Sequence, residues 1–372
     1  MISRRKRIKE LKNKRRRNPR KSIVKKSSSM EVVPLDNTIT LDSWMEETYT
    51  EHALLFDSLN VVPTTHNSGA VFANNLTQCI PWTWAKCQGY SIYDQLKMGI
   101  RCLDLRLKLV RDGSGNSHYQ VVHFLDSTYT LKQVMIEIAT FLNDNYNETV
   151  FVMMKPDWNT RAHWRFNDLN VMWKKLYDMD FVLKSKDCYL ESEKILLNEL
   201  RFKDVRGKVV IMPNGHFYHT YKNIATSDKV NSNLDIDCIH GIKIVYPNFL
   251  TRCENWDCGN SITAKRRIEA FLTNLNKETF DKEDEVEDDE DDIVLENKVF
   301  PLIESNVLLW KGVIPPYFAC KFMHSYLKNH CVKQQSSRNN EICYVKRMGF
   351  VLVDFSNPEL IRGLLSNNRC TN

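Results

Sequence analysis

Five side chains suited to acid–base chemistry at an anionic group lie on predicted strands or at their ends. His66 follows the apolar run VVPTT, and His123 ends the run QVVH. Asp104 and Arg106 alternate with leucines, which places them on one face of a strand, and Lys155 ends the run TVFVMMK. Imidazole is well matched to proton transfer near neutral pH, and arginine binds phosphate or carboxylate groups in a planar fork.

Each of these residues also has a purely structural explanation. A histidine at a strand end packs more often than it reacts, an Asp and an Arg two residues apart can form a buried ion pair, and a lysine after a strand usually reaches solvent. The combination favours a functional site, because in α/β barrels the chemistry collects at the C-terminal ends of the strands.

Short apolar runs alternate with longer amphipathic stretches over residues 39–280, a pattern typical of a mainly parallel α/β sheet or barrel. β-rich runs bounded by glycine or proline predict strands in the sequence flanking Ala70 and over residues 99–109, 120–124, 149–154, 207–212 and 347–355. The spacing of apolar residues predicts helices over residues 130–142 and 169–177.

The formal net charge of +6 on the 372 residues is unevenly distributed along the sequence. Residues 1–30 carry 14 Lys and Arg and one acid, whereas the other 342 residues carry 38 basic and 45 acidic side chains. We predict a disordered basic tail at 1–38 that binds anionic lipid, nucleic acid or an import receptor, or has no dedicated role. The ten acids of residues 281–292 predict a disordered insertion at about 278–296 within a domain spanning residues 39–372.

Several classes of protein are disfavoured by composition. No run approaches the roughly 18 apolar residues of a spanning helix, and no apolar run follows the N-terminal charges as in a signal peptide. The eleven cysteines are an odd number without a CxxC pair. A complete disulfide set and a zinc site at Cys253 and Cys258 are therefore disfavoured, and we expect reduced thiols in the cytosol. The predicted folded part has no readable nucleic-acid-binding motif.

Four motifs, in this order, resemble the X domain of phosphatidylinositol-specific phospholipase C. They are VVPTTHNSGA at 61–70, SIYDQLKMGIRCLDLR at 91–106, the run ending in His123, and the helix and strand that lead to Lys155. WAKCQ at 84–88 is similar to the metal-independent, glycosylphosphatidylinositol-cleaving branch known from trypanosomes, and the X-domain-only proteins of animals are a second similarity. The resemblance implies a TIM-like (β/α)8 barrel, distorted or incomplete.

The resemblance also implies a reaction. The family cleaves the phosphodiester of an inositol phospholipid with the inositol 2-hydroxyl, giving cyclic inositol phosphate and diacylglycerol. By resemblance, His66 is the base, His123 the acid and Arg106 the phosphate clamp. Asp104 would support His123 and Arg106, and Asp354, near the end of the late run RMGFVLVDF, would orient His66. The substrate would be phosphatidylinositol or a glycosylated form.

We expect catalysis without a metal or other cofactor. Calcium-dependent members of the family have carboxylates where this sequence has Arg106 and Lys155, and Ca²⁺ needs several oxygen ligands. Lys155 matches a lysine on the floor of the site in metal-free members. Asn67 is assigned to substrate binding at a position that is aspartate in secreted bacterial enzymes. The bacterial headgroup-binding arginine is replaced by Pro213, Asn214 and Gly215, so headgroup recognition is expected to differ.

The substrate would lie in a membrane surface. Trp82 and Trp84 are expected near the barrel mouth, where tryptophan favours the headgroup zone, although packing of both in the core is an equal alternative. We expect a cytoplasmic enzyme that binds membranes peripherally. The basic tail also allows nuclear import. The alternative is a weak or inactive X-domain module that binds inositol lipid or a protein partner.

Overall fold

The computed structural model describes residues 39–71, 85–111, 113, 117–157, 168, 171–172, 175–176, 178–183, 195–196, 200–213, 238–239, 242–243, 250–253, 261–280, 300–304, 323–327, 348–366 and 368. The predicted basic tail at 1–38 lies outside these residues. So do residues 281–299, with the acidic run, and much of the predicted helix at 169–177.

The described residues form α-helices and β-strands in alternation. The helices are α1 (Trp44–Thr48), α2 (Leu55–Ser58), α3 (Ile92–Lys97), α4 (Leu131–Asp144), α5 (Phe202–Val205), α6 (Ser261–Phe280) and α7 (Pro358–Leu365). The strands are β1 (Val61–Thr65), β2 (Cys102–Arg111), β3 (Ser117–His123), β4 (Leu125–Thr130), β5 (Thr149–Pro156), β6 (Ile195–Leu196), β7 (Lys208–Pro213), β8 (Cys238–Ile239), β9 (Ile242–Lys243), β10 (Leu250–Cys253), β11 (Phe300–Glu304) and β12 (Gly349–Val353). None of these helices is both long enough and apolar enough to cross a bilayer.

The main sheet contains nine of these strands and is parallel through its centre. Parallel pairing runs in the order β10-β11-β12-β1-β2-β5-β7, and β3 and β4 add an antiparallel hairpin to the second half of β2. Within the described residues no strand pairing joins β7 to β10, so the sheet is open between them. β6, β9 and β8 form a separate small sheet.

The strand register brings several C-terminal strand ends to one edge of the sheet. Thr65 of β1 pairs with Val353 of β12, and Arg106 of β2 pairs with Lys155 of β5. Because these strands are parallel, side chains that end or follow them lie at the same edge. This edge holds most of the residues that the sequence singled out.

The strand predicted in the sequence flanking Ala70 is found on its N-terminal side, whereas residues 72–84 on the other side lie outside the described residues. β1 ends at Thr65, and the next four residues form the expected polar turn, closed by a hydrogen bond from the Ala70 amide to the Asn67 carbonyl at 2.8 Å. Asn67 has a φ of 44°, and Phe124, directly after β3, has a φ of 59°. Such left-handed backbone cannot continue a strand, so both strands end just before these residues.

Helix α4 confirms the helix predicted over residues 130–142. Thr130 and Gln133 form a capping box in which each side chain accepts from the other's backbone amide, which satisfies two otherwise unpaired donors. The apolar face of α4 is buried and packs against the β3–β4 hairpin and α3. Each such buried side chain stabilises the fold by about 1.5–3 kcal/mol, and together they fix the hairpin that carries His123.

A buried ion pair joins the N-terminal ends of two neighbouring strands, β2 and β5. Arg101, just before β2, donates from Nε to Glu148 Oε2 at 2.7 Å, and both side chains are fully buried. Glu148, just before β5, also accepts the backbone amides of Met45 and Glu46 at the start of α1. The pair therefore holds α1 against the N-terminal edge of the sheet, away from the strand ends that carry the predicted site.

Replacing Glu148 by alanine should lower the free energy of unfolding by about 3–5 kcal/mol, because it leaves a buried guanidinium uncompensated. Urea denaturation followed by circular dichroism measures the change. The control Glu47→Ala removes an exposed acid from α1 and should change stability by no more than about 0.5 kcal/mol. A loss below about 1 kcal/mol for Glu148→Ala would show that the pair is not needed.

Candidate active site

His66 lies in the turn after β1 and is held by the segment that follows β12. Its backbone amide donates to the Val353 carbonyl at 3.0 Å, and its Nδ1 lies 2.8 Å from Asp354 Oδ1. A carboxylate only accepts, so in the neutral ring Nδ1 carries the proton and Nε2 keeps a lone pair. Both side chains are buried. In this tautomer Nε2 is the ring atom that can accept a proton.

Asn67 turns its side chain back toward the preceding ring. Its left-handed backbone, which asparagine tolerates better than most residues, places Nδ2 2.9 Å from His66 Nε2. The Asn67 backbone amide donates to Asp104 Oδ2 at 3.1 Å. Its Oδ1 is buried and has no hydrogen-bond partner in the described part of the protein. That oxygen can accept a hydrogen bond from a bound hydroxyl group.

Asp104 is paired with Lys155. Lys155 Nζ lies 2.9 Å from Asp104 Oδ1 and 3.2 Å from Oδ2, across the diagonal of the β2–β5 register. Burial disfavours the ionised carboxyl, but the charges of Lys155, His66 and Arg106 outweigh it and hold the pKa of Asp104 below its usual value. The expected support of His123 by Asp104 acts through charge, since no hydrogen bond joins these two described residues.

The Arg106 guanidinium lies next to His66. Its Nη2 lies 3.5 Å from His66 Nε2, at the outer limit of a hydrogen bond. Its Nε is buried and has no hydrogen-bond partner within the described ranges. A guanidinium with an unfilled donor beside two imidazoles is suited to bind a phosphate or carboxylate group.

His123 faces His66 across the site. The two ring centroids are 6.1 Å apart, with the ring planes at 76°. His123 Nδ1 lies 2.7 Å from the Ala85 carbonyl oxygen, which only accepts, so Nδ1 carries the proton in the neutral ring. Burial, and then the positive charges of Arg106 and His66, lower the pKa of His123 to about 3. The ring is therefore neutral at physiological pH when no anion is bound.

Cys87 lies between the two imidazoles, where the sequence assigned no role to it. Its Sγ is 3.4 Å from His123 Nδ1 and 3.7 Å from Asn67 Nδ2. Burial, reinforced by the nearby Asp354 carboxylate, raises the pKa of the Cys87 thiol well above its usual value. The only signal in the sequence was its place in the WAKCQ motif, because nothing local reveals which distant residues a loop will meet.

Gln88 and His324 support the backbone around the His66–Asp354 pair. Gln88 Nε2 donates to the carbonyls of His66 and Val353, at 2.8 and 3.0 Å, and so joins the turn after β1 to the end of β12. His324 Nε2 lies 2.8 Å from the Asp354 carbonyl oxygen. The sequence assigned a role to neither residue, since both act through backbone groups of distant segments.

The predicted interfacial residues Trp82 and Trp84 lie outside the described residues, as do Asn214 and Gly215 of the predicted departure after β7. An exposed aromatic side chain does lie beside the site. Phe124 is 73% exposed, and its ring centroid is 4.7 Å from that of His123.

The structure brings seven of the predicted site residues to one edge of the sheet: His66, Asn67, Asp104, Arg106, His123, Lys155 and Asp354. Two imidazoles and a guanidinium can bind an anion and move protons on both sides of it. One group of described residues could also hold a metal ion: His66, Cys87 and Asp354 offer ligand atoms within 4.8 Å of one another.

Comparison with known proteins shows what this part of the chain is similar to. Residues 63–213 match the family model "Phosphatidylinositol-specific phospholipase C, X domain". A 1-phosphatidylinositol phosphodiesterase of Listeria monocytogenes is 28% identical over 189 residues, which are 49% of this chain and 52% of that protein. A PI-PLC X-box domain-containing protein of Dictyostelium discoideum is 29% identical over 104 residues, 25% of this chain and 13% of that protein. The chain thus spans about half the length of the first relative and less of the second.

Solved structures agree on the fold. The phosphatidylinositol-specific phospholipase C of Listeria monocytogenes superposes with a TM-score of 0.58 at 18% identity, covering 88% of this chain and 99% of that one. A Staphylococcus aureus phosphatidylinositol-specific phospholipase C gives a TM-score of 0.56 at 13% identity, covering 88% and 97%. The predicted α/β, TIM-like and incomplete barrel is confirmed. Residues 63–213 are thus similar to the X domain of phosphatidylinositol-specific phospholipase C.

Proposed function

We propose that this protein cleaves the phosphodiester of an inositol phospholipid by attack of the inositol 2-hydroxyl, releasing cyclic inositol phosphate and diacylglycerol. One observation carries the proposal: His66, His123 and Arg106 converge, with ring centroids 6.1 Å apart and Arg106 Nη2 3.5 Å from His66 Nε2. These are the groups needed to take a proton, give a proton and bind a phosphate. The similarity to the Listeria phosphodiesterase supports the same reaction.

The hydrogen bonds support His66 as the base and Arg106 as the group that binds the phosphate. His66 Nε2 takes the proton of the 2-hydroxyl as that oxygen bonds to phosphorus, and Asp354 at Nδ1 stabilises the imidazolium that forms. Arg106 binds the phosphate oxygens with donors that include its unpartnered Nε. Asn67 Oδ1 accepts from an inositol hydroxyl. The Lys155–Asp104 pair positions the turn at Asn67, because Asp104 accepts the Asn67 backbone amide.

His123 gives its proton to the diacylglycerol oxygen as the bond from that oxygen to phosphorus breaks. It must therefore be protonated when substrate is bound, although its ring is neutral in the free protein. The substrate supplies the difference, because an anionic phosphodiester next to Arg106 offsets the positive charge that disfavours the imidazolium. Substrate binding thus favours protonation of His123.

This account predicts a pH dependence that can be measured by NMR with chelator present. In the free protein, the lowered pKa means that the His123 ring proton resonances should not shift between pH 5 and 8. Bound inositol 1-phosphate favours the charged ring, so it should raise the pKa of His123 and bring a titration into that window. A free-protein titration of His123 near 6.5 would contradict the account.

Catalysis is proposed to need no calcium. Calcium prefers six to eight oxygen ligands, whereas the phosphate side of the site is lined by the cations of Arg106 and Lys155. The buried carboxylate of Asp104, next to these cations, is already paired with Lys155.

The lipid class and location follow from the same proposal. Phosphatidylinositol and glycosylphosphatidylinositol share the reacting phosphodiester, and WAKCQ at residues 84–88 supports the glycosylated form as a substrate. We propose a cytoplasmic enzyme that binds membranes peripherally, with Phe124, Trp82 and Trp84 as interfacial residues. The basic residues 1–30 would bind anionic lipid or an import receptor. The second candidate, an inactive X-domain module, would bind the same lipid without turnover.

Vesicles that contain inositol-labelled phosphatidylinositol test the proposal. In excess EDTA, the full chain should release labelled cyclic inositol phosphate, and vesicles with a glycosylated anchor test the second lipid. Turnover abolished by chelator and restored by calcium would overturn the metal-independent part. Binding to the vesicles without turnover, with and without calcium, would instead support the inactive module.

A further inference from the structure

The site contains a second set of ligands that the proposed reaction does not use together. Cys87, His66 and Asp354 come from three separate segments of the chain, and each is buried. One ligand atom of each lies within 4.8 Å of the other two. Cys87 also contacts His123 Nδ1 at 3.4 Å. A thiol, an imidazole and a carboxylate therefore point at one small volume.

The chemistry of this set selects a thiophilic divalent ion. Zinc takes Cys, His and Asp ligands at about 2.0–2.3 Å in a tetrahedron, so the ligand atoms lie roughly 3.5 Å apart. The observed separations, all within 4.8 Å, need only small side-chain movements to reach this spacing. Calcium and magnesium prefer oxygen ligands and are disfavoured by sulfur. A solvent oxygen would complete the four ligands.

Charge permits a dication at this position. A thiolate and a carboxylate together balance the two positive charges of zinc, with the thiol proton released to solvent as the metal–sulfur bond forms. Lys155 is paired with Asp104 and adds little repulsion. Arg106 approaches His66 at Nε2, whereas Asp354 lies at Nδ1, on the other side of the ring. The Arg106 guanidinium therefore approaches the ring from the side opposite to the carboxylate ligand.

We propose that Cys87, His66 and Asp354 form a binding site for a zinc-class divalent ion. Binding replaces the 2.8 Å hydrogen bond between His66 Nδ1 and Asp354 Oδ1. A metal bound at Nδ1 takes the place of the proton there, and the neutral ring then carries that proton on Nε2. The base therefore has no lone pair left to accept the proton of the 2-hydroxyl. The bound ion therefore inhibits the lipid reaction, because it displaces the hydrogen bond that prepares His66. This inhibition rests on the proposed function, whereas binding of the ion does not depend on it.

Cobalt titration tests the binding without any lipid reaction. Added to the reduced, chelator-free full chain, Co²⁺ should produce the near-ultraviolet thiolate-to-metal absorption band for one equivalent of metal. Cys87→Ala should lose that equivalent, and Asp354→Asn should bind it at least about tenfold more weakly. Cys102→Ala is the matched control, because Cys102 is also a buried free cysteine but is not one of the three ligands; it should keep the band.

A band of the same size in Cys87→Ala and the unaltered chain, with both folded by circular dichroism, would overturn the site. The absence of any band would overturn it as well.

In a second measurement, micromolar Zn²⁺ should lower phospholipid turnover at least about tenfold, and EDTA should restore it. Cys87→Ala, compared with its own metal-free rate, should lose this sensitivity. If no lipid turns over at all, the proposed function fails while the cobalt band still decides the metal site.

Discussion

Replacing His66 by alanine is expected to lower the turnover of inositol phospholipid by about 10³–10⁴-fold, the range that a positioned proton-transfer group contributes. No other described side chain can take over, because Nε2 is the acceptor that the Asp354 bond prepares. Binding to vesicles should be unchanged, since the His66 ring is buried. The measurement is release of labelled cyclic inositol phosphate under saturating lipid, in chelator.

His118→Ala is the matched control. His118 lies on β3, the strand that ends in His123, but its side chain is exposed. Its removal should leave turnover within about twofold of the unaltered protein, the scale of an exposed substitution. If His66→Ala keeps more than about a tenth of the activity, His66 is not the base, and the reaction must begin from another group.

Replacing Arg106 by lysine is expected to lower turnover by about 10²–10³-fold, the effect of losing one preorganised donor to the transition state. Lysine keeps the charge but cannot bind two phosphate oxygens in a fork. The loss should therefore lie mainly in kcat, because the charge that attracts the phosphate remains. Steady-state kinetics on phosphatidylinositol vesicles separate the two parameters.

Arg111→Lys controls for the change of residue type. Arg111 ends the same strand, and its guanidinium forms a surface ion pair with Asp168 at 2.8 Å, away from the imidazoles. Such exposed pairs contribute about 0–1 kcal/mol, so activity should be nearly unchanged. An Arg106→Lys protein with full kcat would show that charge alone is sufficient, and that the fork has no part in the transition state.

Local patterns in the sequence predicted the framework of the site well. Alternation of leucines with Asp104 and Arg106 placed both side chains on one face of β2, and both do meet the site residues on adjacent strands. The apolar runs before His66 and after Met348 predicted two strands, which pair in parallel over five residues. Such features are short-range, so a single segment contains all the information that is needed.

Contacts between distant segments could not be derived in this way. Lys155 reaches Asp104 only because β5 pairs with β2 in one particular register, and no local pattern states that register. Cys87 contacts His123 although the two residues lie 36 positions apart in the sequence. The His66–Asp354 pair spans 288 positions and was available only from the family resemblance. The left-handed backbone at Asn67, which ends β1, had no signal beyond the polar turn.

A crystal structure of the full chain with inositol 1-phosphate bound tests the central claim most directly. The account predicts phosphate oxygens within hydrogen-bonding distance of Arg106 and His123 Nε2, and the inositol 2-hydroxyl within hydrogen-bonding distance of His66 Nε2. A phosphate bound at another place, with packed side chains filling the space between the two imidazoles, would contradict it.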